Sequence, residues 1–340
     1  MRSSMNFGVV QEPTPAMIAA ATRAMEAALE LRPDDRVLVV GDEVCGACPG
    51  AFAAAARQYG CQVSRYDLPP SGRPLAEVPR DLAALIPGPT VVVNAIPGHT
   101  AETPFRIEWL NLVERQGTIR MGHAPGISED MMTGGSLDVD YRRMQLRERL
   151  MLDILEGAEV LRLRTALGTD LTVNVAGRSF VSDLKALPDC CVNLPCGEIY
   201  CAPLEGSANG VLVADGPIGD EGVPPMPVRI EVKDGKVTDV VCDDPIWQER
   251  VARHFRHDDG AAMVCEVGMG LNPGARLVGR MLEDEKALRT AHVAFGDNRG
   301  FPGGNVQSGM HVDCLVHLPT VEVSRGDQTI AVLLQGDLAV

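Results

Sequence analysis

Residues 308–317 read SGMHVDCLVH, an apolar, strand-like run broken by His311 and Asp313. On an extended strand, residues two apart share a face, so this pair can offer an imidazole nitrogen and a carboxylate oxygen to one metal ion. A lone His-x-Asp is more often a hydrogen-bonded pair, and three further residues change that balance. Glu198 interrupts NLPCGEIYCAP, Glu266 ends AAMVCE before a glycine-rich stretch, and His292 sits in TAHVAFGD. An ionisable side chain in a buried strand is unfavourable unless paired or metal-bound. Two glutamates, two histidines and an aspartate suit a pair of divalent ions with an open water position, and either glutamate could also move a proton.

Other polar residues fit a site less directly. GDNRGFPGGNVQSG lacks the Gly-Lys-Ser/Thr ending of a phosphate loop and reads as a loop beside the metals, where Arg299 could clamp a substrate carboxylate. His99 and His123 fall in predicted loops at strand ends, where open α/β sheets place ligand contacts. Cys45 and Cys48 form a Cys-x-x-Cys between a strand and a helix, better explained as small residues packing a turn than as a redox pair. Cys190, Cys191, Cys196 and Cys201 lack the paired spacing of a structural zinc site. His254 and His257 favour the end of a helix, through its dipole.

The elements that must carry these residues differ between the two halves. PAMIAAATRAMEAALEL, RVLVV, AFAAAARQYG, CQVSRYDL and TVVVNA alternate helix and strand patterns, with a further helical pattern in LAEVPRDLAALI, which predicts a parallel sheet with helices on its faces. After the long helical stretch DYRRMQLRERLMLDILEG, hairpins take over, in EVLRLRTALGTDLTVNVAG and around Asp234-Gly235, with helices expected at about 246–257 and 275–288. The expected organisation is therefore an α/β domain over 1–156 and an α+β, barrel-like domain over 157–340 carrying the metals.

With 340 residues, 45% apolar and 23% charged, the chain has the composition of a folded protein of two domains. A net charge of -15 argues against nucleic acid as a partner. There is no apolar run of membrane-spanning length, and MRSSMNFGVVQEPTP lacks the apolar core of a signal peptide. A cytoplasmic location and reduced thiols are expected, and no membrane partner.

NLPCGEIYCAPLEGSANGVLVADG, CEVGMGLNPGARL, LEDEKALRTAHVAFGDN and SGMHVDCLVHLPTVEV resemble, in order and spacing, the metal-binding segments of the aminopeptidase T family of metallopeptidases. The resemblance is good over residues 193 to about 323 and weaker in GHTAETPFR and MGHAPGISEDMMTGG. It implies that Glu198, Glu266, His292, His311 and Asp313 bind two divalent ions (Zn, Co or Mn). It also implies a homodimer and hydrolysis of a short peptide or other small amide substrate. The family's tyrosine several residues after the position of His292 has no counterpart in VAFGDNRGFP. A second branch, the 2,5-dihydroxypyridine dioxygenases, is similar in length and around HVD; it holds one Fe(II), and differs at the positions of Glu198, Glu266 and His292. A two-histidine, one-carboxylate site for a single iron can still be drawn from this chain's His292, His311 and Asp313, which keeps that branch as the alternative, and a non-catalytic, metal-stabilised dimer is a third.

Overall fold

The computed structural model describes residues 12–188 and 190–339. The chain divides into two compact units. One runs to Val139 and takes back Leu184–Pro195, and the other comprises Asp140–Asp183 and the chain from Cys196 onward. The division thus falls at 139/140 and not at 156/157. The helix Tyr141–Leu155 belongs with the second unit, where the Arg325 guanidinium donates to the carbonyl of Ile154.

The first unit is a parallel sheet in the order Gln62–Asp67, Arg36–Gly41, Val91–Ile96, Arg120–Pro125, Val192–Asn193. Helices connect its first four strands. Thr14 caps Pro15–Ala28 by accepting from the Met17 amide, with proline at the first helical position where no amide bond is lost. Leu38, Val40, Val92, Ile96 and Met121 of the sheet pack with Phe105, Trp109 and Val113 of the helix Thr103–Glu114. The helical pattern of LAEVPRDLAALI condenses to one turn, Arg80–Ala83, preceded by Pro79.

The second unit is built from two antiparallel sheets. The larger has the order Lys236–Val241, Val228–Lys233, Asn209–Ala214, Asp170–Asn174, Val160–Arg164, Thr320–Arg325, Gln328–Leu334, Asp337–Leu338. Among the described residues no pairing joins its two outer strands, so the barrel-like closure anticipated from the hairpins has no hydrogen-bonded seam. Asp234 and Gly235, both with positive φ (49° and 78°), make the expected tight turn. The smaller sheet has the order His311–His317, Thr290–Gly296, Val264–Gly270, Glu198–Cys201, Val181–Ser182. Val267, Met269 and Ala291 on one of its faces meet Leu161, Leu163 and Val321 of the larger sheet.

The helix expected at 246–257 spans Pro245–His254, whereas 275–288 is mostly turns around a single helical turn, Met281–Asp284. Carboxylates from that turn explain the difference. Glu283 accepts from the Arg276 amide and Asp284 from that of Val278, which satisfies backbone donors without a longer helix. Among the described residues no helix is long and apolar enough to cross a membrane.

Candidate metal centre

The smaller sheet gathers all five candidate ligands on one face. Its register sets Glu266 opposite Ala294 and Ala294 opposite Asp313, Gly268 opposite His292, Gly270 opposite Glu198, and Gly296 opposite His311. Because alternate residues share a face, the five candidates and three glycines lie on one face, while Val267, Val293, Val312 and Cys314 point the other way; Cys265, at the bulge beside Glu266, places its Sγ 3.7 Å from His311 Nδ1.

Two groups of ligand atoms result, each within 4.8 Å: Glu198, Glu266 and His292, and Glu266, His311 and Asp313. Glu266 belongs to both. Its Oε1 lies 3.3 Å from His292 Nε2, and its Oε2 lies 3.2 Å from His311 Nε2. Glu198 Oε2 is 3.4 Å from His292 Nε2, and Asp313 Oδ1 is 3.6 Å from His311 Nε2. His292, His311 and Asp313 do not form such a group among the described residues.

Supporting contacts orient the ligands. His311 Nδ1 donates to the Asp297 carbonyl at 2.8 Å, which leaves Nε2 with its lone pair toward the carboxylates once a metal replaces the proton. Gly268 gives the His292 ring its place, since a Cβ there would fall inside the imidazole, closest to Nε2. Lys286, fully buried, donates to Glu198 Oε1 at 2.7 Å, is hydrogen-bonded to Glu285, and lies 3.6 Å from Asp183 Oδ2. Asp183 in turn accepts from the amides of Gly197 and Glu198 at 2.7 and 2.9 Å. Sequence reasoning missed these supports; Lys286 follows three consecutive acids, Glu283, Asp284 and Glu285, six residues before His292.

Electrostatics follow from this crowding. Burial pushes the Glu198 carboxyl up to about 7, against the pull of Lys286. Burial also opposes ionisation of Glu266, yet hydrogen bonds from His292 and His311 prevail and bring it down to about 2. His292 is raised to about 9 because Glu266 outweighs the desolvation of its charge, and Lys286 stays charged because Glu198, Glu285 and Asp183 outweigh its burial. The metal-free site therefore holds protons where metals would bind.

His311 is the most open of the five candidates, its side chain 33% exposed, whereas Glu198, Glu266, His292 and Asp313 are buried. A mixed carboxylate and imidazole set with one shared carboxylate fits two divalent ions, and so do the fixed ring of His311 and the space over Gly268.

The remaining candidates separate. Arg299 is exposed and pairs with Asp297 of its own loop, Nε to Oδ2 at 2.7 Å. His99 lines a cavity of about 560 Å³ in the first unit, with Asp42, Leu68, Arg73 and Pro97, at the carboxyl ends of the parallel strands. His123 lies within a strand, not in a loop; it is buried against Asn94, and desolvation lowers its pKa to about 3. Cys45 and Cys48 are buried, with thiols pushed up to about 12 by desolvation, the opposite of the lowered pKa of an activated redox thiol. His254 bonds Glu221 at 2.9 Å, while His257 stands 4.0 Å from Asp258.

The sequence model of the thermophilic metalloprotease (M29) family matches residues 142–336, which include every ligand candidate. A search of curated proteins finds no match. Among solved structures, 2,5-dihydroxypyridine dioxygenase from Pseudomonas putida KT2440 superposes with a TM-score of 0.72 at 18% identity, over 96% of this chain and 99% of that one. Wild-type AmpT from Thermus thermophilus does so with a TM-score of 0.70 at 16% identity, over the same shares. At these identities the likeness is one of fold.

Proposed function

Because the chain belongs to the thermophilic metalloprotease (M29) family, we propose that it is a two-metal hydrolase cleaving the peptide or amide bond of a small substrate. The single observation that carries this reading is the shared carboxylate of Glu266, whose two oxygens face two different histidines. Glu198, Glu266 and His292 would hold one ion, and Glu266, His311 and Asp313 the other; zinc, cobalt and manganese suit this set.

When bound, such ions lower the pKa of a coordinated water and polarise a carbonyl oxygen. The chain's own residues do the rest. Lys286 occupies Glu198 Oε1, so that Oε2 is the oxygen turned to His292. The Asp297 carbonyl fixes the ring of His311 at the open side, where substrate enters. Both glutamates have two engaged oxygens, Glu266 toward the two histidines and Glu198 toward Lys286 and His292; of the two, Glu198, whose carboxyl burial pushes up to about 7, is the one to which we assign proton transfer. The departing amine takes that proton as the bond breaks.

A single-iron, ring-opening oxygenase is the second reading, favoured by the comparable fold match to the dioxygenase. It draws on His292, His311 and Asp313, which fall in different ligand groups here. Elemental analysis of anaerobically purified protein, with turnover of amino-acid amides under argon, tests the two. About two zinc, cobalt or manganese ions per chain and oxygen-independent amide cleavage support the hydrolase. One iron and an absolute need for dioxygen overturn it. A homodimer in solution, checked by light scattering, completes the proposal.

A further inference from the structure

Aromatic residues make up only 4% of this chain, yet two of them stand in a row against a ligand imidazole. The rings of Tyr200 and Phe301 have centroids 5.0 Å apart, tilted by 51°, and Phe301 meets the His311 ring edge-on at 5.8 Å and 77°. Tyr200 lies two residues beyond Glu198 on the same strand face, opposite Gly268. Phe301 comes from the loop that joins the strand of His292 to the strand of His311 and Asp313.

That loop is tied down. Asn298, buried, donates to the Cys265 carbonyl at 2.9 Å and accepts from the Val306 amide at 2.9 Å; its own carbonyl accepts from the Phe301 amide at 2.9 Å. Phe301 is thus held in place by the strand that carries Glu266. By contrast with Phe295, which is fully buried against Phe255, both Tyr200 and Phe301 keep part of their surface open. His311, whose ring Phe301 meets, is also the most exposed of the five candidates, so the rings lie on the open side of the centre.

We propose that Tyr200 and Phe301 form the wall of a subsite that takes an aromatic side chain of the substrate, beside the group that reaches the metals. Partly exposed rings already set edge-on and tilted leave an aromatic surface for a third ring to stack on or meet at its edge. This rests on the metal-centre reading of the preceding section, and deepens it by naming the substrate class.

The test is calorimetric titration of the metal-loaded protein with L-phenylalanine hydroxamate and L-alanine hydroxamate, which chelate divalent metals alike and differ only in side chain. The wild type is expected to favour the phenylalanine compound by about ten-fold, as burial and ring contact together would give. Phe301→Ala should collapse that ratio to below about three-fold and Tyr200→Ala should lower it, while Phe301→Tyr, which keeps a ring, should retain it. Equal affinities in the wild type, no binding of either compound, or a ratio unchanged in both alanine variants overturns the proposal. Hydrolysis of L-phenylalaninamide and L-alaninamide is read separately. If neither amide is cleaved while the binding preference and its loss persist, the subsite stands and the hydrolase reading fails. If both are cleaved without preference and the hydroxamate ratio is flat, the reverse holds.

Discussion

Gly268 lies directly across the sheet from His292, and the imidazole rests where any other residue's Cβ would be. Gly268→Ala should therefore displace the His292 ring while leaving both strands paired. We expect metal binding about 10- to 100-fold weaker, the range seen when a ligand loses its support. Competition with a chromophoric chelator measures it, and unchanged affinity would contradict the assignment of His292.

Glu266 reaches both histidines, so Glu266→Gln should affect both ligand groups at once. The expected outcome is a fall from about two metals per chain to one or none, with turnover down by at least about 100-fold. Asp313→Asn touches only one group and should leave one metal bound. Elemental analysis of the two variants side by side checks this difference.

Lys286→Met leaves Glu198, Glu285 and Asp183 together in a buried place without their shared cation. Removing one partner of a buried ionic cluster is destabilising by roughly 3–5 kcal/mol. Denaturant unfolding of the metal-free protein should show a loss of that order, partly recovered at mildly acid pH, where the carboxyls can take up protons. A loss below about 1 kcal/mol would mean that Lys286 is not the counter-ion.

In the proposed centre protons and metals compete for the same atoms, which fixes the direction of the pH dependence. His292, raised from 6.5 to about 9, contributes stability that is complete below about 6.5 and disappears as pH rises through 9. Glu198, raised from 4.5 to about 7, stays protonated in the folded chain while its unfolded counterpart ionises, so stability also falls across that window. The melting temperature of the metal-free protein should accordingly decline between about pH 5 and 9, while zinc affinity rises as His292 gives up its proton. A metal-free melting temperature that climbs over this range would rule the scheme out.

The cysteines give a chemical test of the first unit. At pH 8 the buried Cys45 and Cys48 should resist alkylation, and Cys190, which is exposed, should react first. Mass spectrometry of briefly treated native protein reads the order.

The five ligand candidates were legible in the sequence because acids and imidazoles stand out within apolar strand runs. Lys286 and Asp183 did not stand out, since EDEKAL and VSDL look like ordinary polar turns and nothing local says that a lysine there is buried. Gly268 was hidden for another reason: a glycine in a strand reads as a weak point until the ring across the sheet is seen. The βα alternation announced the parallel sheet, because each crossover is written in consecutive residues. The order of the antiparallel strands was not written there, since Glu198–Cys201 pairs with Val264–Gly270 across more than sixty residues. Segment 275–288 has helix-forming composition, but its acids bind nearby backbone amides and hold it in turns.

Leu184–Pro195 returns to the first unit and lays Val192–Asn193 along the edge of its parallel sheet, and Glu198 follows three residues after that return. The two units are therefore not consecutive paragraphs of the chain. A gene cut at residue 140 would deprive the first sheet of its fifth strand and leave that strand inside the metal-bearing half, between Asp183 and Cys196. Such an arrangement resists shuffling: a single crossover with another gene cannot exchange one unit without damaging the other, so the two must be inherited together.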